Sequence, residues 1–249
     1  MNTLAYEWTK LRSVRSTWIA VAATVLSGVA LSVLGASDVL GGSVADLSPD
    51  WDPTAASLKG FLFAQLVIGM FGALAIAPEF ATGMIGTSLS FVPSRSRLLG
   101  AKAAVVSLVA VLTAVLTTLV SFAAVQLMLS SADLPSAGLG DPGVLRALGV
   151  AVFYLSAVAL LGVAVGTIAR STASSLAILV GALLLVPALA PGIVGDAAAK
   201  FWPITAAQSA YATLRLEDTV TPALGVALLA ATVVLVSLAS HAVFRARDI

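Results

Sequence analysis

Between Lys102 and Asp133 the chain carries no charged residue. A helix needs only about 20 mostly apolar residues to cross the hydrocarbon core of a bilayer. Lipid offers the backbone no hydrogen-bond partners, so a run of this length must satisfy its own groups as a helix. Five other apolar runs read the same way. The six spans are expected at roughly 17–36, 60–78, 102–130, 144–169, 175–192 and 222–243. The third is longer than a bilayer requires, so it should tilt or project into water. Pro187 and Pro191 lie in the fifth and should kink or end it, since proline lacks a backbone donor. Composition agrees: 59% of residues are hydrophobic and 10% charged, against about 25% charged in soluble domains. The expected fold is all-α, a polytopic membrane protein with six transmembrane helices and an N-terminal amphipathic interfacial helix.

Charge distribution orients it. With the N-terminus in the cytoplasm, the inner side holds Lys10, Arg12, Arg15, Arg95, Arg97, Lys102, Arg170, Arg245 and Arg247, nine of the thirteen cations. Lys59, Arg146, Lys200 and Arg215 lie outside, with most of the acids. That bias satisfies the positive-inside rule, and six spans return the C-terminus to the cytoplasm. A cleaved signal peptide at residues 1–36 is the rival reading; the long apolar run and the lack of a clear A-x-A site count against it. The net charge of +1 carries no information about nucleic acid, and no nucleic-acid partner is expected. There is no cysteine, hence no disulfide or thiolate chemistry.

Three segments outside the spans carry pattern. In MNTLAYEWTKLRSVRSTW, Leu4, Trp8, Leu11 and Val14 recur at helical spacing while Glu7, Lys10 and Arg12 lie off that stripe. An amphipathic helix of this kind suits a membrane surface; a basic leader that only sets topology is the plainer alternative. Residues 193–221 include FWPITAAQSAYATLR, a semi-apolar stretch suited to the outer interface.

The third segment, Glu79 to Lys102, is a polar island between two spans. If the second span continues helically past Pro78, Glu79, Gly83 and Gly86 share one face. Val92-Pro93-Ser94 should turn the chain, with Ser94 or Ser96 capping the next helix. Arg95 and Arg97 near that helix start oppose its macrodipole, so helix stability does not explain them. Topology, lipid phosphate and a cytoplasmic partner all do.

Enzymatic motifs are missing. The sequence has no Gly-x4-Gly-Lys-Ser/Thr phosphate loop, no HExxH and no Gly-x-Ser-x-Gly elbow. The lone His241 makes a poor metal site. Thr113, Thr117 and Thr118 read as helix-packing groups rather than ligands. An intramembrane enzyme is therefore disfavoured.

Together these features resemble the permease subunits of type-2 ATP-binding-cassette exporters, in a short actinobacterial-like form. The resemblance in architecture covers 1–249 as one transmembrane domain. It rests on EWTKLRSVRSTW before the first span, FWPITAAQSAY before the last, and a segment similar to E-[YF]-x-x-G-T-x-x-x-[TS]-L-x-x-x-P-x-R-x-R. Glu79, Phe80, Gly83, Leu89, Pro93, Arg95 and Arg97 fit that pattern. Met84 departs from it where threonine is usual, and Thr87 follows three residues later.

The resemblance implies a permease that forms a translocation pathway in the cell membrane, with both termini cytoplasmic as the charge bias requires; spans without fixed charge suit a hydrophobic or amphiphilic substrate. Two copies of a separate ABC ATPase would drive it, and a second permease subunit, identical or different, would complete the pathway. ATP and Mg would be bound by the ATPase; no cofactor, catalytic residue or metal is implied in this chain. Residues 1–16, with Trp8, Lys10, Arg12 and Arg15, would be an interfacial elbow helix. Residues 79–97 would be the coupling segment, through Glu79, Phe80, Gly83, Gly86, Thr87, Pro93, Arg95 and Arg97. Arg170 would be a weaker second contact. The alternative function is a non-transporting membrane anchor or sensor that recruits a cytoplasmic protein.

Overall fold

A computed structural model describes residues 3–40, 47–48, 50–92, 94–214 and 219–246. Among them every regular element is a helix. In chain order these are α1 (Thr3–Ser13), α2 (Arg15–Ser37), α3 (Pro53–Ala56), α4 (Phe61–Leu74), α5 (Ala77–Ala81), α6 (Met84–Phe91), α7 (Arg95–Ser131) and α8 (Val144–Ala169). Then come α9 (Thr172–Val194), α10 (Asp196–Ala199), α11 (Pro203–Ser209) and α12 (Pro222–Ala246).

Five of these, α2, α7, α8, α9 and α12, are long and apolar enough to cross a membrane. The second expected span is a shorter apolar helix, α4, of 14 residues. It ends at Leu74, and Ile76 leaves helical geometry before α5 begins with Pro78 in its first turn. α7 runs 37 residues, about 55 Å at 1.5 Å per residue, well beyond the ~30 Å hydrocarbon core. At its start, Ser94 Oγ accepts from the Arg97 amide at 3.3 Å as the cap.

The core forms where α4 lies against α8 and α2. A Cβ added at Gly72 would overlap the Ala159 carbonyl oxygen, and one at Gly162 would overlap that of Gly69. Only glycine lets these two backbones approach so closely, which is how helices associate where lipid supplies no hydrophobic drive. Thr113, Thr117 and Thr118 are buried in α7, and Thr113 and Thr117 return their hydroxyls to carbonyls four residues back, as packing groups do.

The prolines do not end α9. The helix passes through a π turn at Gly181–Leu185 and continues to Val194. Pro187 has no N–H to offer the carbonyl of Leu183 four residues earlier. Gln65 Nε2 donates to that carbonyl at 3.4 Å instead, and the Trp202 indole donates to Ala182 O at 3.0 Å.

At the far end the connections are tied down. Asp52 caps α3 and also accepts the amides of Thr213 and Leu214. Arg146 donates to the carbonyls of Ala210 and Ala212 at 2.7 and 2.8 Å. Gln126 joins Pro53 O, Ser57 and the Ala137 amide. The semi-apolar stretch 193–221 supplies α10 and α11, and α11 buries Ile204, Ala206 and Ala207 against the bundle.

Candidate functional site

α1 turns its acid inward. Glu7 is buried, whereas Leu4, Trp8 and Val14 are exposed. On a soluble protein that arrangement would be inverted; beside lipid it places apolar groups outward and leaves the acid to find a partner inside. The partner is Lys102, one turn or more into α7 and 2% exposed. Its Nζ donates to Glu7 Oε2 at 2.9 Å, to Glu79 Oε1, and to the Ala75 carbonyl at 3.4 Å. Lys10 Nζ donates to the same Glu79 oxygen at 2.7 Å, and Ser88 Oγ reaches Glu79 Oε2 at 3.5 Å.

Two acids thus face two lysines, and the cluster is neutral as a whole. Desolvating four charges offsets most of their mutual attraction, so the cluster is weak evidence for stability. What it provides is position. It fixes α1, α5, α6 and the start of α7 relative to one another, because Lys102 joins Glu7 to Glu79 and its removal would leave Glu7 a buried charge with no ion-pair partner. A cavity of about 330 Å³ adjoins it, lined by all four charged side chains and by Phe71, Leu74 and Val106.

Phe80, next in sequence to Glu79, faces the other way. Its ring meets Phe244 of α12 edge-on at 6.0 Å, and the Arg170 guanidinium stacks 4.9 Å from its centroid. Arg170 closes α8 in a left-handed conformation, φ 54°. Arg95 Nη1 donates to the carbonyls of Phe244 and Arg245 at 3.0 and 3.1 Å, capping α12. Ser96 lies 3.1 Å from His241 Nε2. α5 is therefore gripped on one side by α1 and α7, and on the other by α8 and α12.

The expected residues divide into two sets. Glu79, Phe80, Arg95 and Lys10 are turned into the bundle, and Arg170 is turned toward Phe80. Gly83, Gly86, Thr87, Arg97, Trp8, Arg12 and Arg15 are exposed. Pro93 lies outside the described residues. The shared helical face expected for Glu79, Gly83 and Gly86 does not form. The helix breaks at Thr82, and Gly83 takes a left-handed φ of 71° as it opens α6. Glycine adopts that conformation at no steric cost. Nothing lies within 4 Å of a Cβ added at Gly83 or Gly86, so neither accommodates a neighbour within this chain. α6 instead buries Ile85 and Ser88 and exposes Met84, Thr87 and Phe91.

Glu7 and Lys102 are the residues that the segment patterns underweight. Each is an isolated charge flanking an apolar run, and their opposite signs were the available signal.

Residues 3–193 match the family described as ABC-2 family transporter protein. The chain belongs to that family. A search of curated proteins finds no match. Membership makes this a membrane-integral transport component, and the charge cluster joins parts of an ABC-2 protein that sequence keeps far apart: α1, the α5–α6 segment and α7.

Proposed function

We propose that this chain is the permease subunit of an ATP-binding-cassette exporter. In this reading α4 completes a set of six spans, both termini are cytoplasmic, and the protein sits in the cell membrane. Two facts support counting α4. Its start lies against α2, where the Gly60 amide donates to Ser32 Oγ at 3.0 Å. Its far end lies beside Lys102 at the start of α7. It thus traverses the bundle, supplemented by α3 and α5 at either end.

The observation that carries the functional reading is the double anchoring of α5 directly before the exposed helix α6. A partner that pushes on Met84, Thr87 or Phe91 pushes on a helix rooted through Glu79 and Phe80 to α1, α7, α8 and α12. Alternating access needs such stiff transmission, because the ligand that shifts the balance, ATP with Mg, is bound elsewhere. Two copies of a cytoplasmic ABC ATPase would supply that drive, and a second permease subunit would complete the pathway. This chain would catalyse nothing itself. Spans without a charge at their centre suit a hydrophobic or amphiphilic substrate.

The test is co-purification with an ABC ATPase, followed by ATP hydrolysis and vanadate-sensitive transport in proteoliposomes. Glu79→Gln should keep the complex and its ATPase activity while transport falls at least tenfold. A stable complex that hydrolyses ATP and moves no substrate would favour the anchor or sensor reading; the absence of any complex would refute the permease.

A further inference from the structure

Far from the charge cluster, a second polar network lies inside the bundle. Tyr154 of α8 is fully buried; its hydroxyl donates to Gln65 Oε1 of α4 and accepts from Gln208 Nε2 of α11 at 3.0 Å. Gln65 is fully buried too, and its own amide donates to the carbonyls of Leu62 and, in α9, Leu183. Gln208 Nε2 also reaches Gln65 Oε1, at 3.5 Å. Helices α4, α8, α9 and α11 thus meet through two amides and one phenol. Tyr154 follows Val144, where α8 begins, by about 15 Å at 1.5 Å per residue. That is about half of a ~30 Å hydrocarbon core.

α11 is the short element that closes over this network. It rests on α12, where a Cβ added at Gly225 would overlap the Ala206 carbonyl oxygen. Just beyond it, the Tyr211 ring meets Phe61 at 6.3 Å and Tyr154 edge-on at 5.9 Å. Gln208 is half-buried, the one side chain of the three with an outlet. A contact that never opens has no need of such groups. Apolar side chains would fill the space without desolvating two amides and a phenol, and the neighbouring turns of the α4–α8 seam are filled that way, by Gly69, Gly72, Val158 and Ala159. A contact that alternates between dry and wet has a different requirement: its groups must be satisfied in both states. Glutamine and tyrosine meet it. Closed, they bond one another; open, water takes each place. None is charged, so neither state strands an ion. Single hydrogen bonds between membrane helices are also weak enough to break.

We propose that α11 is a shutter over the α4–α8 seam, latched through Gln208 to Tyr154 and Gln65, and that its release admits water to those two side chains. In the permease reading the shutter closes the outer end of the pathway, and that use rests on the reading. The latch itself does not: it is a property of this chain alone, measured without ATPase or substrate.

The experiment uses the full chain in nanodiscs, where both faces are accessible, and follows its reaction with an impermeant maleimide by mass spectrometry. The chain has no cysteine, so one introduced thiol reports alone. When opening and closing are fast, its labelling rate tracks the population of the open form. Ile204→Cys, buried on α11, should label at least about tenfold more slowly than Gly138→Cys, which is exposed. Adding Gln208→Met, which keeps the side chain's length and loses its amide, should speed labelling at Ile204→Cys by about tenfold or more. Tyr154→Phe keeps the ring beside Tyr211 and should act in the same direction. Val158→Cys, buried on α8 against Gly69, is the control and should stay unlabelled in both backgrounds. The proposal is overturned if Ile204→Cys labels as fast as Gly138→Cys before the latch is altered, or if its rate is unchanged by Gln208→Met or by Tyr154→Phe. An equal rise at Val158→Cys also overturns it, since the network would then hold the whole bundle rather than a shutter.

Discussion

Lys102→Met tests the charge cluster most directly. The lysine holds Glu7, Glu79 and the Ala75 carbonyl. Once it is removed, Glu79 keeps Lys10 at 2.7 Å. Glu7 keeps nothing, and a stranded buried charge costs about 3–5 kcal/mol. A value of about 4 kcal/mol is expected for the single variant. Glu7→Gln alone should cost only about 1 kcal/mol, because the amide oxygen still accepts from Lys102. In the double variant the stranded charge is gone, and the remaining loss is the contact of Lys102 with Glu79 and Ala75. That loss should be about 2 kcal/mol, where additivity would give about 5. Reversible unfolding in dodecyl maltoside micelles with a rising SDS fraction would yield all three values. If the double variant equals the sum of the singles within about 0.5 kcal/mol, Glu7 and Lys102 do not interact and the account of the cluster is wrong.

Three further outcomes follow from the packing. Gly72→Ala should destabilise the protein by about 1–3 kcal/mol in the same unfolding assay, since its Cβ overlaps backbone that cannot swing aside. Gly149→Ala, on α8 with nothing within 4 Å, should be neutral or mildly stabilising. Arg95→Ala should remove the cap on α12 and raise hydrogen–deuterium exchange across 241–246, leaving α8 unchanged. Because the chain has no cysteine, single replacements label cleanly: an impermeant maleimide should reach Gly138→Cys from outside intact cells, and Thr87→Cys only after the cells are opened.

Much of the architecture was legible because hydrophobic length is a local property. α2, α7, α8 and α12 could be placed from their apolar runs alone, and of the two serines that could cap α7 it is Ser94 that does. The second span was harder. Its apolar run continues through Ala75, Ile76 and Ala77, yet the helix stops at Leu74. Hydropathy does not register where backbone geometry changes. The prolines of α9 left two outcomes open for a related reason: whether a missing N–H ends a helix depends on which side chains are near the freed carbonyl. Gln65 and Trp202 come from distant parts of the chain. The same distance hid the site. Glu79 was marked by its neighbours in sequence as a contact residue, but Lys10, Lys102 and Ser88 hold it inside. Only folding brings those residues within reach, and it leaves Gly83, Gly86 and Thr87 exposed.

The π turn in α9 has a consequence for how the helix bends. An ordinary helix owns all its hydrogen bonds, so its curvature is written in its own residues. α9 borrows two donors, one from the Gln65 side chain of α4 and one from the Trp202 indole beyond its own C-terminal end. Its angle at Gly181–Leu185 is therefore held jointly by three parts of the chain. In a membrane no water stands ready to take over those carbonyls. The upper half of α9 can tilt only if Gln65 and Trp202 travel with it, or if Leu183 and Ala182 find new donors in the same step. Swapping Pro187 for a residue with an N–H would give the helix back one bond of its own and free the Gln65 amide from the Leu183 carbonyl.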